Sequence, residues 1–277
     1  MDISISCGKE KFFSEIKKIG YCGVDVPFAV YNEREWILSN EYKDIVGKKY
    51  QAAKDAGLNI SQTHLTYYPG HLKTIGDGTY EAFEEYMLPL FIREIELTSE
   101  INCPVAVIHL YFENDREKSR EGNKRLITGL LPILEKNNVV LSIENIFGPD
   151  LSEAYLSGAD DLLYYTDFFK NDYLGICLDT GHAILRNQNP VEMLKAVQNN
   201  LTALHLHTTV PFVDLHAVPY MASYLEQIDW VEFYDILSKT KYKGTFNMEV
   251  RASSKMNDNA ISAFYRFAYE VAKGIVN

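Results

Sequence analysis

Cysteine is sparse, at four residues in 277, and no two of them stand in a C-x-x-C spacing. Cys7, Cys22, Cys103 and Cys177 lie in or beside apolar runs, so buried reduced thiols are expected. No apolar stretch approaches the ~20 residues that span a bilayer. The opening residues, Met-Asp-Ile-Ser-Ile-Ser, lack the basic and long apolar regions of a secretory leader. A soluble cytoplasmic protein without membrane attachment is the expectation. Basic runs are missing too: Lys and Arg number 27 against 38 Asp and Glu, a formal net charge of -11. The most basic stretches, around residues 9–18 and 239–243, are short and diluted by acids or aromatics. That balance argues against nucleic acid and anionic membranes as partners. No linker, repeat or low-complexity tract marks a boundary, so residues 1–277 are expected to form one domain.

What the chain does have is an ordinary globular supply of apolar residues, 47%, arranged in two alternating patterns. Short β-branched or apolar runs at residues 2–6, 23–27, 58–64, 105–110, 139–144, 175–178, 202–207 and 245–250 read as eight strands. Between them lie stripes at helical spacing, such as Phe83, Tyr86, Met87, Leu90 and Phe91, or Ile261, Phe264, Tyr265, Ala268 and Ala272. Pro89 and Pro132 fall inside two such stripes and predict kinks there. Strand–helix alternation implies a parallel sheet with crossover helices. Eight units in this length favour a single closed (β/α)8 TIM barrel, an α/β fold, with an open doubly wound sheet as the alternative. Two connections, residues 66–79 and 208–229, are long enough to suggest functional loops.

Side chains alternate between the faces of a strand. On the candidate strands Ile108, Leu110, Ile143, Leu178, Leu204, Leu206, Met248 and Val250 share the face that would meet the helices. The opposite face carries His64, His109, Glu144, Asp179, His207 and Glu249, each at or near a C-terminal strand end, where barrel active sites are built. His182 follows Asp179 by three residues, and the 208–229 connection adds Asp214 and His216. A single buried histidine is more often a core residue than a ligand, and a lone Glu144 would suit an ion pair. Three carboxylates aimed at one place, however, repel one another unless a cation lies between them. Imidazole with carboxylate suits Zn²⁺ or Mn²⁺, with Mg²⁺ or Co²⁺ also allowed, better than Ca²⁺. The expected metal ligands are Glu144, Asp179, His207 and Glu249. His205 is expected one layer below His207, in a supporting position. His71 reads as a loop residue, and Trp36 with Tyr67 and Tyr68 as either pocket floor or ordinary packing.

The motifs Gln62-Thr-His64, Val107-Ile-His109, Ser142-Ile-Glu144-Asn145, Leu178-Asp179-Thr180-Gly181-His182-Ala183, Leu204-His205-Leu206-His207, Asp214-Leu-His216, Ile228-Asp229-Trp230 and Met248-Glu249 run nearly the whole chain. Together they resemble the xylose isomerase-like barrel superfamily, which holds sugar isomerases, ketose 3-epimerases and abasic-site endonucleases. The resemblance to the epimerases implies one divalent metal on Glu144, Asp179, His207 and Glu249, with Glu144 and Glu249 as acid/base catalysts beside a metal-polarised carbonyl. It places His182, and with it His64, His109 and His216, toward a small sugar-like substrate. The resemblance to the endonucleases implies instead a multinuclear zinc site with His64, His109, His182, Asp214 and His216 as further ligands, and a metal-dependent phosphodiesterase or other hydrolase. A lyase on the same scaffold, or a barrel that has lost its chemistry and only binds ligand, are the remaining options. The segment His207-Thr-Thr-Val-Pro-Phe-Val-Asp214 has no Arg, where the epimerases commonly carry one to hold substrate. Members are often dimers or tetramers, so a homo-oligomer is allowed, although no residue reads as an interface.

Overall fold

Eight parallel strands close into a ring in the computed structural model of the chain, which describes residues 1–28, 34–66, 79–111, 115–147, 158–211 and 213–277. Seven of them are β1 (Ile3–Ser6), β2 (Gly23–Pro27), β3 (Asn59–His64), β4 (Val105–Ile108), β5 (Val140–Glu144), β6 (Leu174–Asp179) and β7 (Leu201–His205), each pairing with the next. The eighth is β10 (Phe246–Met248), which pairs with β1 through Ile3–Phe246, Ser4–Asn247 and Ile5–Met248. A parallel bridge between Leu206 and Met248 joins the last strand to the seventh and completes the barrel. The fold is therefore a single (β/α)8 TIM barrel, and the open doubly wound alternative is set aside.

Helices cover the outside. They are α1 (Phe13–Ile19), α2 (Arg34–Ile37), α3 (Asn40–Asp55), α4 (Tyr80–Glu100), α5 (Arg116–Asn137), α6 (Ala159–Phe169), α7 (Thr180–Leu185), α8 (Pro190–Val197), α9 (Trp230–Leu237) and α10 (Asp258–Val276). Most begin at a side chain that accepts hydrogen bonds from the first turn, as Ser39, Thr79, Asp115, Asn189, Asp229 and Asn257 do. The stripes that spacing predicts are buried only in part, with Tyr86 of α4 and Phe264 of α10 left half-buried. The buried members are Phe83, Met87, Leu90 and Phe91 in α4 and Ile261, Tyr265, Ala268 and Ala272 in α10. Pro89 and Pro132 lie inside α4 and α5, which run through both positions without interruption.

The two faces of the strands have different fates. Ile108, Leu110, Ile143, Leu178, Leu204, Leu206, Met248 and Val250 all join the main core between sheet and helices. Val107, Cys177 and Ala203 form a small separate cluster of inward residues inside the barrel. All four cysteines are free thiols, three of them buried and Cys22 half-buried. Trp36 packs edge-on against Tyr42, with ring centroids 4.7 Å apart, and lines an apolar cavity of about 120 Å³ between α3 and strands β2 and β3, not the site described below. The 208–229 connection is more ordered than a loop. It holds an antiparallel hairpin of β8 (Thr208–Val210) and β9 (Val213–Ala217), and alternation along β9 turns Asp214 and His216 inward while Val213 and Leu215 face solvent. His71, Tyr67 and Tyr68 lie outside the described residues, as does most of the 66–79 connection. Among the described residues no helix is long and apolar enough to cross a membrane.

Candidate metal centre

Every strand-end residue expected to face the barrel axis does so, and all are buried except His109, which is partly exposed. The register between strands decides how they group. Asp179 pairs across the sheet with His205, and Glu144 with Cys177. Glu144, Asp179, His205 and Glu249 accordingly bring one ligand atom each within 4.8 Å of one another. The sequence expectation put His207 in that group and His205 a layer below. β7 ends level with Asp179, so the His205 ring also reaches the three carboxylates, while His207 stands one step further out with its Nε2 against Asp179. His207 groups with Asp214 and His216, and His64 and His109 group with Glu144.

The distances define a continuous array. Glu144 Oε2 lies 3.0 Å from His64 Nε2 and 3.1 Å from His109 Nε2. Its Oε1 lies 3.1 Å from His205 Nδ1 and 3.2 Å from His182 Nδ1. His205 Nδ1 is also 3.2 Å from Glu249 Oε2 and 3.9 Å from Asp179 Oδ2. His207 Nε2 is 3.1 Å from both oxygens of Asp179, and its ring stacks on His216 with centroids 4.2 Å apart. His216 Nε2 reaches Asp214 Oδ2 at 2.9 Å.

The local sequence explains how these side chains are held. Asp179 is both a site residue and the N-cap of α7, accepting the His182 backbone N–H at 2.6 Å. Asn145 clamps Asp179 from the neighbouring strand, accepting its N–H at 2.7 Å and donating to its carbonyl at 2.8 Å. Thr180 does the same for His207, donating to its carbonyl at 2.7 Å and accepting its N–H at 3.0 Å. Gly181 leaves room for the ring, since a Cβ there would overlap His207. The Asp-Thr-Gly-His motif is thus a cap, a clamp, a gap and a second imidazole in four consecutive residues. His216 has φ 45°, in the left-handed region that residues other than glycine seldom occupy, and its ring is held by Asp214 and by the Glu249 carbonyl. Sequence reading assigned no role to Asn145, Thr180 or Asp25; a buried polar residue on an inward strand position is the signal that would have found Asp25.

Electrostatics follow from this crowding. Burial pushes the Glu144 carboxyl up, but the imidazoles of His205, His109 and His182 outweigh it and hold it well below the usual carboxylate range. Asp179 is lowered in the same way, with burial opposed by His182 and His207. Burial pushes His182 down, yet Asp179 and Glu144 raise it to about 10. His109, where burial dominates over Glu144, falls to about 4.

The donor set fits a divalent cation on two observations. His64, His207 and His216 each turn Nδ1 to a backbone carbonyl, of Leu65, Thr208 and Glu249, at 2.8, 3.4 and 3.0 Å. Each turns Nε2 to a carboxylate. A neutral imidazole has one N–H, so with Nδ1–H donated its Nε2 lone pair faces an anion; a metal ion between the two removes that conflict, and outer N–H groups held by carbonyls are the usual arrangement of metal-ligating histidines. Second, among the described residues, buried His205 Nδ1 and Nε2 and Glu249 Oε2 make no hydrogen bond despite their close neighbours.

Comparison with known proteins agrees with the barrel fold. Solved structures similar over almost the whole length include 3-keto-D-glucoside 4-epimerase from E. coli, at 15% identity and TM-score 0.73 over 99% of each chain. Another is a D-psicose 3-epimerase, at 14% identity and TM-score 0.76 over 100% of this chain and 99% of that one. A third is mannonate dehydratase from Streptococcus suis, at 14% identity and TM-score 0.73 over 100% and 94%. Among curated sequences, uncharacterised protein y4fM of Sinorhizobium fredii is 23% identical over 192 residues, 66% of this chain. A probable endonuclease 4 of Metamycoplasma arthritidis is 27% identical over 100 residues, 36% of this chain. The matches span 58% and 36% of those two relatives' own lengths. The family profile described as xylose isomerase-like TIM barrel matches residues 13–266, and the chain belongs to that family.

Proposed function

We propose that the protein is a divalent-metal-dependent isomerase or epimerase of a small sugar-like molecule. The observation that carries this reading is the buried group of Glu144, Asp179, His205 and Glu249, three carboxylates and an imidazole converging at the C-terminal face of the barrel. Glu144, Asp179 and Glu249 would hold the ion together with His207, whose Nε2 lies 3.1 Å from both Asp179 oxygens, and with His205 packed among the three carboxylates; by its chemistry the ion is Zn²⁺ or Mn²⁺. When bound, such an ion supplies Lewis-acid polarisation of a carbonyl and its neighbouring hydroxyl. The chain's own residues do the rest. Both oxygens of Glu144 are ringed by four imidazoles, which suits a ligand whose charge is already shared. Glu249 Oε2 makes no hydrogen bond among the described residues, so it is the free carboxylate able to take a proton from the carbon beside the carbonyl. Glu144 stands on the other side of His205 as the second acid/base group. His182, on the short helix after Asp179, would contact substrate. The fold shared with sugar epimerases supports a sugar-like substrate.

The test is solvent exchange. Free ketoses incubated with the metal-loaded protein in D₂O should lose a C–H signal next to the carbonyl by NMR, and Glu249→Gln should abolish the loss. No exchange with any ketose, together with no bound divalent ion, overturns the proposal.

A second reading, a multinuclear metal-dependent phosphodiesterase, is favoured by the further groups His64–His109–Glu144 and His207–Asp214–His216. Metal analysis separates the two: one ion per chain fits the isomerase, whereas three zinc ions and nicking of abasic-site DNA would favour the hydrolase.

A further inference from the structure

On the outer face of β2 and β3, away from the carboxylate group, the packing leaves a cavity of about 120 Å³. Close-packed interiors hold few voids larger than a water molecule, so one of this size stands out. Its wall is apolar and aromatic, with the rings of Phe28, Trp36, Tyr42 and Tyr50 in the lining. Two polar side chains of the wall are already engaged. The Thr63 hydroxyl pairs with that of Thr98 at 2.9 Å and reaches the Val105 carbonyl at 3.3 Å, and the Tyr50 hydroxyl accepts the Asn102 amide at 2.9 Å. A buried water needs about two to four polar partners. The cavity therefore suits an apolar body better than water. Apolar cavities of about 150 Å³ stay dry and take up benzene, and this one is close to that size.

One charge accompanies this apolar wall. Lys49, on α3, lines the cavity, and among the described residues no acid does. Lys43, on the same helix, is taken by Glu100 at 2.7 Å, whereas Lys49 makes no ion pair among the described residues. The surface groove between α3 and α4 shares Val46, Tyr50 and Ile101 with the cavity and gives it a way out to solvent. On a chain of net charge -11, an unpaired ammonium beside an apolar hole selects for an anion with an apolar body. We infer that the cavity is a second ligand site, for a monocarboxylate whose apolar part is about the size of a phenyl ring. The ring would lie among the aromatic side chains and the carboxylate at Lys49 Nζ. The site lies apart from the metal centre and is independent of whichever ion is held there. One bond joins the two: the Phe28 N–H donates to the His64 carbonyl at 2.9 Å.

Fluorine NMR of the full chain, grown with 5-fluorotryptophan, tests this. The chain has two tryptophans, and of these Trp36 lines the cavity while Trp230 does not. Trp36→Phe assigns the two signals. Benzoate is the probe. It should shift the Trp36 signal saturably and leave the Trp230 signal in place. Benzamide, its uncharged isostere, should bind about 2- to 5-fold more weakly, and Lys49→Gln should remove that difference. Val46→Phe, which fills the cavity, should abolish the shift. A Trp36 signal unmoved by benzoate, or moved equally by benzoate and benzamide in the wild type, overturns the inference. So does a preference for benzoate that persists in Lys49→Gln, or a shift that survives in Val46→Phe. Where Val46→Phe fails to fold, the wild-type and Lys49→Gln titrations decide. Benzoate binding seen by calorimetry with the Trp36 signal unmoved puts the carboxylate on the metal centre or elsewhere, and that also overturns it.

Discussion

Gly181 and His207 are packed so closely that a Cβ at position 181 would overlap the imidazole ring. Both lie on the inner rim, with Thr180 joining them by paired hydrogen bonds to the His207 backbone. Gly181→Ala should push the ring away from Asp179. The expected cost is about 1–3 kcal/mol, the usual price of overpacking, read as a lower midpoint in chemical denaturation. The same variant should bind metal more weakly, because Asp179 loses its 3.1 Å neighbour on both oxygens.

Asn145 tests whether the Asp179 backbone must be clamped. Asn145→Ala removes one donor and one acceptor from buried groups, with an expected destabilisation of about 1–3 kcal/mol for each group left unsatisfied. Thermal melting measures the first effect, and chelator competition with Mn²⁺ measures the accompanying loss of affinity.

Glu94 predicts a pH dependence that lies away from the site. It is fully buried on α4, where it accepts the Thr66 N–H at 2.8 Å and the Thr66 hydroxyl. Burial raises its carboxyl from 4.5 to about 8, against the opposing Thr66 hydrogen bonds. The folded chain then holds a proton across that interval which the unfolded chain has already released, so this group's contribution to stability is full below about 4.5 and declines as pH rises to about 8. Glu94→Gln should flatten the decline. Denaturation midpoints for both proteins between pH 5 and pH 9 check this; equal slopes would refute it.

Metal removal should act on stability as well as chemistry. Dialysis against EDTA is expected to lower the melting temperature, and Zn²⁺ or Mn²⁺ to restore it. At a free ion concentration about 100 times Kd, the restored stability is about 2.7 kcal/mol. In Glu144→Gln the ion should give no such shift, as measured by calorimetry.

Much of this protein was written in its sequence because strands and helices impose their own periods. Alternation of two placed His64, His109, Glu144, Asp179 and Glu249 on the inner face, with Ile108, Ile143, Leu178 and Met248 outside, and every one of those faces is as expected. The helical stripes of α4 and α10 were legible for the same reason. Parity says only which face a residue takes, and His205 and His207 share it. Their order depends on where β7 sits against β6, and the Asp179–His205 pairing decides that. The β8–β9 hairpin was hidden because its strands are only three and five residues long, too short for alternation to mark them, although its inward Asp214 and His216 stood out as ligand types. Asp25 was passed over because a mid-strand aspartate between two valines does not by itself reveal its burial, which follows only when the barrel closes over it. The sequence by itself therefore determined the barrel and the residue types at its mouth, through local periodicity. Only the tertiary structure decided which imidazole meets which carboxylate, because strand register is set by packing across the whole ring and is carried by no single segment.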